Sequence, residues 1–316
     1  MGGRPGICRA DCQGKASSFP GLTLVRDRRQ AVCVGAAAGP AGGDYVQAWH
    51  DVHAGATSMV MSRPRDVSGR TSYELLVDAV PTVDGPVVDM ACGDGFLIDA
   101  LRRRRDLQHV IGVDLNTAEL RAARQRLGSG GALLRANATA LPFATSSVSV
   151  VTAHFSLMLL LPLDDALAEI ARVLQPAGSL VAVIPGPIRE DVPNGWPALR
   201  SAFAETHADH PIELPPIQDD RILDPDTRAT LLDTAGLTVT TNQRTELIDR
   251  TDPAVAFDQL WLTYGPEVFP DSAQTALRDR LRQKLNERTG NDGLVPMVHI
   301  VDLVVATSDQ RDRRAV

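Results

Sequence analysis

The stretch VVDMACGDGFL, from Val87 to Leu97, limits the possible folds of this chain more than any other segment. Apolar β-branched residues lead into Asp89, small residues and glycines follow, and an apolar pattern with helical spacing then begins at Phe96. This order predicts a strand, a tight turn and a helix. Glycines allow backbone amides to approach a ligand that a Cβ would keep away, and a first helical turn presents unpaired N–H groups. The stretch therefore predicts a small-molecule site.

A second acidic residue follows another apolar strand. Asp114 ends the run that begins at Val110, about as far from the glycine turn as the acid that contacts ribose hydroxyls in a nucleotide-binding unit. We therefore expect Asp89 and Asp114 to flank one crevice.

The rest of the chain alternates between strand and helix patterns. Predicted strands cover residues 110–114, 132–136, 148–153, 180–184, 237–248 and 296–307. Predicted helices cover residues 71–80, 117–127, 163–174, 196–207, 224–236, 252–264 and 271–285. This alternation predicts an α/β fold with a buried parallel sheet.

The pattern also divides the chain into regions. Residues 1–43 are rich in Gly, Arg and Ala without sustained periodicity, which predicts a disordered N-terminal extension. One folded domain is expected over residues 44–308, followed by a C-terminal tail at 309–316. Residues 186–223 and 249–295 interrupt the strand and helix alternation, and we predict that they form lid insertions, the second one helical.

Composition excludes several classes of partner. The chain has 316 residues and a net charge of −7, which disfavours binding to a nucleic-acid backbone. Its four cysteines are too few and too uneven for a secreted disulfide framework, and no apolar run approaches membrane-spanning length. We expect a cytoplasmic protein with a small-molecule substrate, no metal, no nucleic acid and no membrane partner. The sequence leaves the oligomeric state, monomer or homodimer, open.

Four motifs in the same order resemble class I S-adenosylmethionine-dependent methyltransferases, of the type 11-like group that acts on small molecules. The resemblance covers roughly residues 44–308. Its motifs are VVDMACGDGFL, GVDLN at 112–116, RANATALPF at 135–143 and LAEIARVLQPAGSLVAVIP at 167–185. It implies a doubly wound, Rossmann-like sheet of seven strands, mostly parallel with the last strand antiparallel, and S-adenosylmethionine as the cofactor.

The resemblance also implies roles for individual residues. Asp114 is expected to bind both ribose hydroxyls and Leu115 to cover one adenine face, while Asn137 and Ala138 meet the adenine edge. The turn from Ala91 to Gly95 is expected to pass beneath the methionine part. The full predicted cofactor set is Asp89, Ala91, Cys92, Gly93, Gly95, Asp114, Leu115, Asn137, Ala138, Ala153, Tyr45 and Trp49. Three residues depart from the family pattern: Ala91 replaces Gly, and Asn137 and Ser149 each replace Asp.

Candidate catalytic and substrate residues carry alternative interpretations. His154 follows the fourth strand and is predicted to be a general base or a substrate positioner, unless its backbone alone contacts the cofactor. His50 and His53 share a helix face, where they could serve as base, metal ligands or ordinary surface residues. The predicted substrate pocket contains His50, His53, Phe257, Trp261 and Tyr264, although the aromatic stripe could instead seat the lid.

The favoured function is methyl transfer from S-adenosylmethionine to a small molecule, with O-methylation of a natural product preferred. One alternative is a protein that binds S-adenosylmethionine but uses the fold as a scaffold without methyl transfer. A less favoured alternative is an NAD-dependent oxidoreductase, whose Gly-x-Gly-x-x-Gly turn differs from the Ala-x-Gly-x-Gly spacing present here.

Overall fold

The computed structural model describes residues 41–309 except 105, 106, 108 and 215. Most of the predicted N-terminal extension at 1–43, and the tail beyond Asp309, lie outside the described residues. The first described helix begins at Ala41, three residues before the predicted start of the folded domain.

The described residues form one mixed sheet of seven strands, in the order β3-β2-β1-β4-β5-β7-β6. The strands are β1 Val87–Met90, β2 Val110–Asp114, β3 Ala132–Arg135, β4 Val148–His154, β5 Leu174–Pro185, β6 Leu237–Thr251 and β7 Val295–Ser308. Strands β1 to β5 pair in parallel, whereas β7 runs antiparallel to both β5 and β6. The predicted Rossmann-like sheet with an antiparallel last strand is confirmed.

Ten α-helices in the described part of the chain accompany the sheet. They are α1 Ala41–Val52, α2 Ala56–Met61, α3 Ser72–Ala79, α4 Phe96–Arg102, α5 Thr117–Leu127, α6 Leu163–Val173, α7 Trp196–Asp209, α8 Pro225–Thr234, α9 Pro253–Trp261 and α10 Asp271–Asn286. Caps define several starts: Thr71 forms a capping box with Glu74, and the Asp224 side chain accepts from the Thr227 amide. The six-residue helix α2 was not predicted, because it is too short for a periodic pattern.

Apolar side chains form two buried clusters against the sheet and a third formed mainly by helices. The third cluster joins α7, α9 and α10 and includes Phe257 and Leu260. Phe257 and Trp261 stack with their ring centroids 5.5 Å apart, and Arg278 of α10 lies 4.0 Å from the Trp261 ring. The aromatic stripe of α9 therefore packs α9 against α10.

Register places the candidate residues at one edge of the sheet. Asp89 of β1 pairs with Gly112 of β2 on one side and with Thr152 of β4 on the other. In doubly wound sheets, ligands bind beyond the carboxyl ends of the strands, where the strand order reverses. Strand β1 marks this reversal, so the turn after β1 and the ends of β2 and β4 face the same crevice.

Candidate cofactor site

The turn after β1 follows a path that allows close backbone approach. Ala91, Gly93 and Gly95 have positive φ angles of 51°, 52° and 75°. The Cys92 amide donates to the Val113 carbonyl at 3.0 Å, which holds the turn against β2. A Cβ at Gly112 would lie 2.8 Å from Cys92 Sγ, so only glycine permits this approach.

Asp114 contacts the turn directly. Its carboxylate accepts from the Gly93 amide at 2.9 Å and from the Asn116 amide at 2.8 Å, and the residue is 9% exposed. Burial raises the pKa of Asp114, while the two amide bonds oppose that shift. A carboxylate oriented in this way can accept further hydrogen bonds from a ligand on its exposed side.

Asp89 is more deeply buried at the end of β1. It is 1% exposed and accepts a hydrogen bond from the Thr152 hydroxyl at 2.9 Å. Burial raises the pKa of Asp89 to about 7, and the nearby carboxylates of Asp114 and Asp94 add to the rise. Near neutral pH the protonated and ionised forms of Asp89 are therefore both populated.

A cleft of about 270 Å³ opens between these residues. Eleven of the predicted site residues line it: His50, Asp89, Ala91, Cys92, Gly93, Asp114, Leu115, Asn137, Ala138, His154 and Tyr264. Both acids of the predicted crevice are among them. The structure thus brings the glycine turn, the second acid and the end of the fourth strand into one cavity.

Two predicted cofactor residues of the sheet region lie outside the cleft lining. Gly95 is the N-cap of α4, and a Cβ there would lie 3.2 Å from the Ala123 Cβ, so this glycine permits close packing of α4 on α5. Ala153 is fully buried within β4, where it pairs with Ala182 of β5.

Tyr45 and Trp49, predicted to contact the cofactor, also lie outside the cleft lining. The Tyr45 hydroxyl donates to the Tyr264 backbone carbonyl. Trp49 is 5% exposed, and its ring centroid lies 4.7 Å from that of Tyr264. We call α1, His53, Tyr264 and Glu267, which His53 contacts, the cover of the cleft. The side chains of Tyr45 and Trp49 join α1 to Tyr264.

Three predicted substrate-pocket residues are not brought to the cleft. Phe257 and Trp261 pack against α10 instead. The sequence pattern could not distinguish these two positions, because an apolar stripe predicts a buried helix face without showing which surface covers it. His53 contacts Glu267, with Nε2 2.9 Å from the carboxylate, on the outer side of the cover. His50 and His53 therefore have different partners and do not form the pair that a shared metal would need.

His154 is held in an apolar setting at the end of β4. Its Nε2 lies 2.9 Å from the Ser72 hydroxyl, and its ring stacks on Tyr73 with centroids 3.8 Å apart. Burial lowers the pKa of His154 to about 3. The imidazole is therefore neutral at physiological pH and a weak base, so this environment favours a positioning role over general-base catalysis.

Two of the departures from the family pattern have local explanations. The Asn137 side-chain oxygen accepts from the Thr139 amide at 3.1 Å, so it stabilises its own turn as well as lining the cleft. The Ser149 hydroxyl donates to Gln175 at 3.1 Å, near the start of β4 and away from the cleft. A Cβ at Gly85 would lie 2.0 Å from this hydroxyl, which shows how closely that loop packs.

Sequence reasoning did not identify Glu119 as a site residue. It is 3% exposed, lines the cleft and lies 2.7 Å from His50 Nδ1. Glu119 occupies the first turn of α5, where an acid is expected simply because it complements the helix dipole. The sequence gives no signal that links it to His50, which lies 69 positions away.

The lining is acidic and suits a ligand that carries positive charge. Asp44, Asp89, Asp94, Asp114 and Glu119 contribute to it, and none of the described lining residues is Lys or Arg. Asp94 forms an ion pair with Arg126 and accepts a hydrogen bond from the Ser58 hydroxyl at 2.6 Å. Leu115, 37% exposed on one wall, offers an apolar surface for a flat ring. A sulfonium nucleoside combines these features of charge, ribose hydroxyls and a planar base.

Comparisons with known proteins agree with this geometry. Residues 88–182 match the family described as methyltransferase domain. A ubiquinone/menaquinone biosynthesis C-methyltransferase of Paraburkholderia phymatum is 34% identical over 121 residues, which are 37% of this chain and 47% of the relative. The chain spans about half the length of the first curated relatives it matches.

Solved structures share the fold at low identity. The YcgJ protein of Bacillus subtilis has a TM-score of 0.52 at 17% identity, covering 76% of this chain and 99% of its own. The (4+2) cyclase SpnF has the same TM-score and identity, covering 87% of this chain and 98% of its own. The family match over residues 88–182 and the sheet topology confirm the resemblance to class I S-adenosylmethionine-dependent methyltransferases and support S-adenosylmethionine as the cofactor.

Proposed function

We propose that this protein transfers a methyl group from S-adenosylmethionine to a hydroxyl oxygen of a small, largely apolar molecule. The observation that carries the proposal is the acidic cleft in which the Gly93 amide and the Asp114 carboxylate meet at the carboxyl edge of the sheet. Its charge and its place in the fold suit a cationic nucleoside cofactor.

The residues of the cleft would share the cofactor in a definite way. Asp114 would accept from the ribose hydroxyls by charge-assisted hydrogen bonds. Leu115 would cover one face of the adenine ring, and Asn137 with the Ala138 backbone would meet its edge. The backbone of the turn after Ala91 would lie beneath the methionine part, with Asp89 near the ammonium group.

The methyl transfer requires few catalytic groups from the protein. When bound, S-adenosylmethionine supplies an electrophilic methyl group whose leaving group is a neutral thioether. The chain has to hold the acceptor in line and exclude water, and alignment alone contributes as much as about 7 to 11 kcal/mol to lowering a barrier. His154, neutral and fixed between Ser72 and Tyr73, is suited to orient an acceptor by hydrogen bonding.

The remaining lining supports an apolar acceptor. Phe155, Leu159, Leu160 and Leu161 are partly exposed in the cleft, next to His154 in the chain. Apolar walls with a few convergent polar groups are typical of sites for small organic molecules. A hydroxyl acceptor must also lose a proton, and the imidazole of His50 and the phenol of Tyr264 in the same cleft are groups that can transfer protons.

Calorimetric titration with S-adenosylmethionine, S-adenosylhomocysteine and NAD tests the cofactor assignment. We expect the first two to bind and NAD to give no heat, whereas binding of NAD alone would reject the proposal. Transfer of a labelled methyl group to a panel of hydroxyl-bearing, amine and carbon acceptors then tests the reaction. Tight cofactor binding without transfer to any acceptor would favour the scaffold alternative.

Within the described residues, no helix has both the length and the apolar character needed to cross a membrane.

A further inference from the structure

Three side chains from separate elements meet at the covered side of the cleft. His50 of α1 lies between Glu119 of α5 and Tyr264, which follows α9. His50 Nδ1 is 2.7 Å from Glu119 Oε1, and His50 Nε2 is 2.9 Å from the Tyr264 hydroxyl. All three residues line the cleft, so this hydrogen-bonded chain ends where a ligand can reach it.

The partners define where the hydrogens lie. The Gly55 amide donates to both Glu119 oxygens, at 3.0 and 3.2 Å, so the carboxylate acts as an acceptor. His50 Nδ1 must then carry the hydrogen that it shares with Glu119. In the neutral ring, Nε2 is left as an acceptor for the Tyr264 O–H. The direction of donation runs from Tyr264 to His50 and from His50 to Glu119, as in nucleophile–histidine–acid triads.

Tyr264 cannot act as an anionic base in this setting. Burial raises the pKa of its phenol, and the charges of Glu119 and Asp114, with Tyr45 nearby, raise it further. The phenol therefore stays protonated across the physiological range. It can accept a proton from a ligand only if it passes its own proton to His50 at the same time.

Resting on the proposed function, we propose that Tyr264 is the catalytic residue that takes the proton of the acceptor hydroxyl, with His50 and Glu119 as positioning residues. As the acceptor oxygen bonds to the methyl carbon, the carbon–sulfur bond breaks and its electron pair stays on sulfur. The hydroxyl proton moves to the Tyr264 oxygen, and the phenol's own proton moves to His50 Nε2. Glu119 stabilises the resulting imidazolium, which afterwards releases a proton to water.

The relay assigns a substrate class. It serves an acceptor that is protonated when it binds, such as a phenol or an alcohol. An acceptor that already carries an oxyanion does not need Tyr264. The two kinds of acceptor should therefore respond differently to the loss of the phenol hydroxyl, which is a difference that purely structural damage would not produce.

The first test needs no acceptor. Nitrogen-15 NMR of histidine-labelled protein saturated with S-adenosylhomocysteine should show the neutral Nδ1–H tautomer for His50, and Tyr264→Phe should shift its Nε2 resonance. A protonated or Nε2–H ring in the wild-type protein would contradict the proposed direction of donation.

The second test compares two phenol probes in Tyr264→Phe, with Thr263→Val as the control. Thr263 precedes Tyr264 in the chain, donates its hydroxyl to the Leu260 backbone carbonyl and lies outside the cleft lining. We expect Tyr264→Phe to bind S-adenosylmethionine as wild type does, yet to lose about 100-fold or more in methyl transfer to phenol. Transfer to 4-nitrophenol, ionised at mildly alkaline pH, should fall less than about 3-fold, and Thr263→Val should change neither rate beyond this limit.

The outcomes separate the relay from a simple closing contact. Equal losses on both phenols, or a loss of cofactor affinity in Tyr264→Phe, would show that Tyr264 only holds the cover in place. Wild-type protein that binds the cofactor but methylates only amine or carbon acceptors would overturn the relay and leave cofactor binding intact. Failure of the wild-type protein to bind S-adenosylmethionine would instead reject the proposed function.

Discussion

The floor and the cover of the cleft are built in different ways. We call the turn from Ala91 to Gly95 together with Asp114 the floor. The floor is fixed by backbone bonds between adjacent strands, such as Cys92 to Val113, and by the Asp114 carboxylate. The cover depends on side chains of α1 and of His53, just after it, that contact residues more than 200 positions away. We infer that the floor is preorganised for the cofactor, whereas the cover can open and determines which acceptor enters.

The largest expected effect concerns the protonation of Asp89 in β1, just before the floor. Because the folded protein raises the pKa of Asp89 to about 7 from its ordinary 3.8, this residue favours folding at low pH. That contribution is complete below pH 3.8 and is lost as the pH rises through 7, in total about 4 kcal/mol. Asp89→Asn should therefore gain stability relative to wild type as the pH rises, measured by urea unfolding across this window.

Asp84→Asn, at an exposed acid in the loop before β1, provides the control and should follow the wild-type pH dependence. The affinity of Asp89→Asn for S-adenosylmethionine should fall below that of the wild-type protein as the pH rises, because the ammonium group of the cofactor favours the ionised Asp89. Parallel stability curves for wild type and Asp89→Asn would show that the buried carboxyl is already ionised in the free protein.

The second prediction concerns Trp49 and the stability of the cover. Trp49 packs against His53 and Tyr264 with ring centroids 4.6 and 4.7 Å away. Trp49→Ala should destabilise α1 by about 3 kcal/mol, the usual cost of removing a large buried aromatic ring. Because α1 lies at the edge of the domain, we expect local opening, seen as faster hydrogen exchange in α1 with unchanged exchange in β1 and β4.

Trp261→Ala is the matched control, because Trp261 packs against α10 away from the cleft. It should leave hydrogen exchange in α1 and the cofactor affinity unchanged. Unfolding of the whole domain by Trp49→Ala would mean that floor and cover form one cooperative unit, which would contradict the comparison.

The floor could be predicted from sequence because its signals are local. A strand, a turn and a helix follow each other within VVDMACGDGFL, and the structure places β1 at Val87–Met90 and begins α4 at Phe96. Asp114 ends β2 as predicted. Hydrophobic periodicity and glycine positions determine these elements over a few residues, so neighbouring residues carry the information.

The cover could not be predicted, because its partners are distant in the chain. Glu119 has the same pattern as any acid in the first turn of a helix, and nothing near His50 in the sequence indicates Tyr264. The stripe with Phe257 was predicted to line the substrate pocket or to seat the lid, because periodicity does not show which surface covers an apolar helix face. Contacts between distant elements depend on packing, which the sequence pattern does not encode directly.

An effect of intermediate size is expected for Asp114, the acidic residue of the floor. Asp114→Ala removes the acceptor of the Gly93 and Asn116 amides together with the predicted ribose contact. We expect S-adenosylmethionine to bind at least ten-fold more weakly, a loss of about 1.5 to 3 kcal/mol for bonds to a charged group. Calorimetry measures this, and Asp114→Asn should fall between the two because its amide oxygen still accepts. Wild-type affinity in Asp114→Ala would show that the cofactor lies elsewhere.

The smallest expected effect concerns backbone strain at Ala91 in the floor. Ala91 has a φ of 51°, in the left-handed region where a Cβ costs roughly 1 to 2 kcal/mol. Ala91→Gly removes that cost but adds about 0.4 to 1 kcal/mol of chain entropy to the unfolded state. The net expectation is a stabilisation of about 0.5 to 1 kcal/mol in urea unfolding, with cofactor affinity unchanged.

Ala177 is the matched control for this substitution, because it is exposed in β5, has a φ of 61° and lies away from the cleft. Ala177→Gly should stabilise the protein by a similar amount. If Ala177→Gly stabilises while Ala91→Gly destabilises, the Ala91 methyl group must make packing contacts that outweigh its strain. The floor would then depend on side-chain packing as the cover does, and the distinction between a backbone-built floor and a side-chain-built cover would fail at this residue.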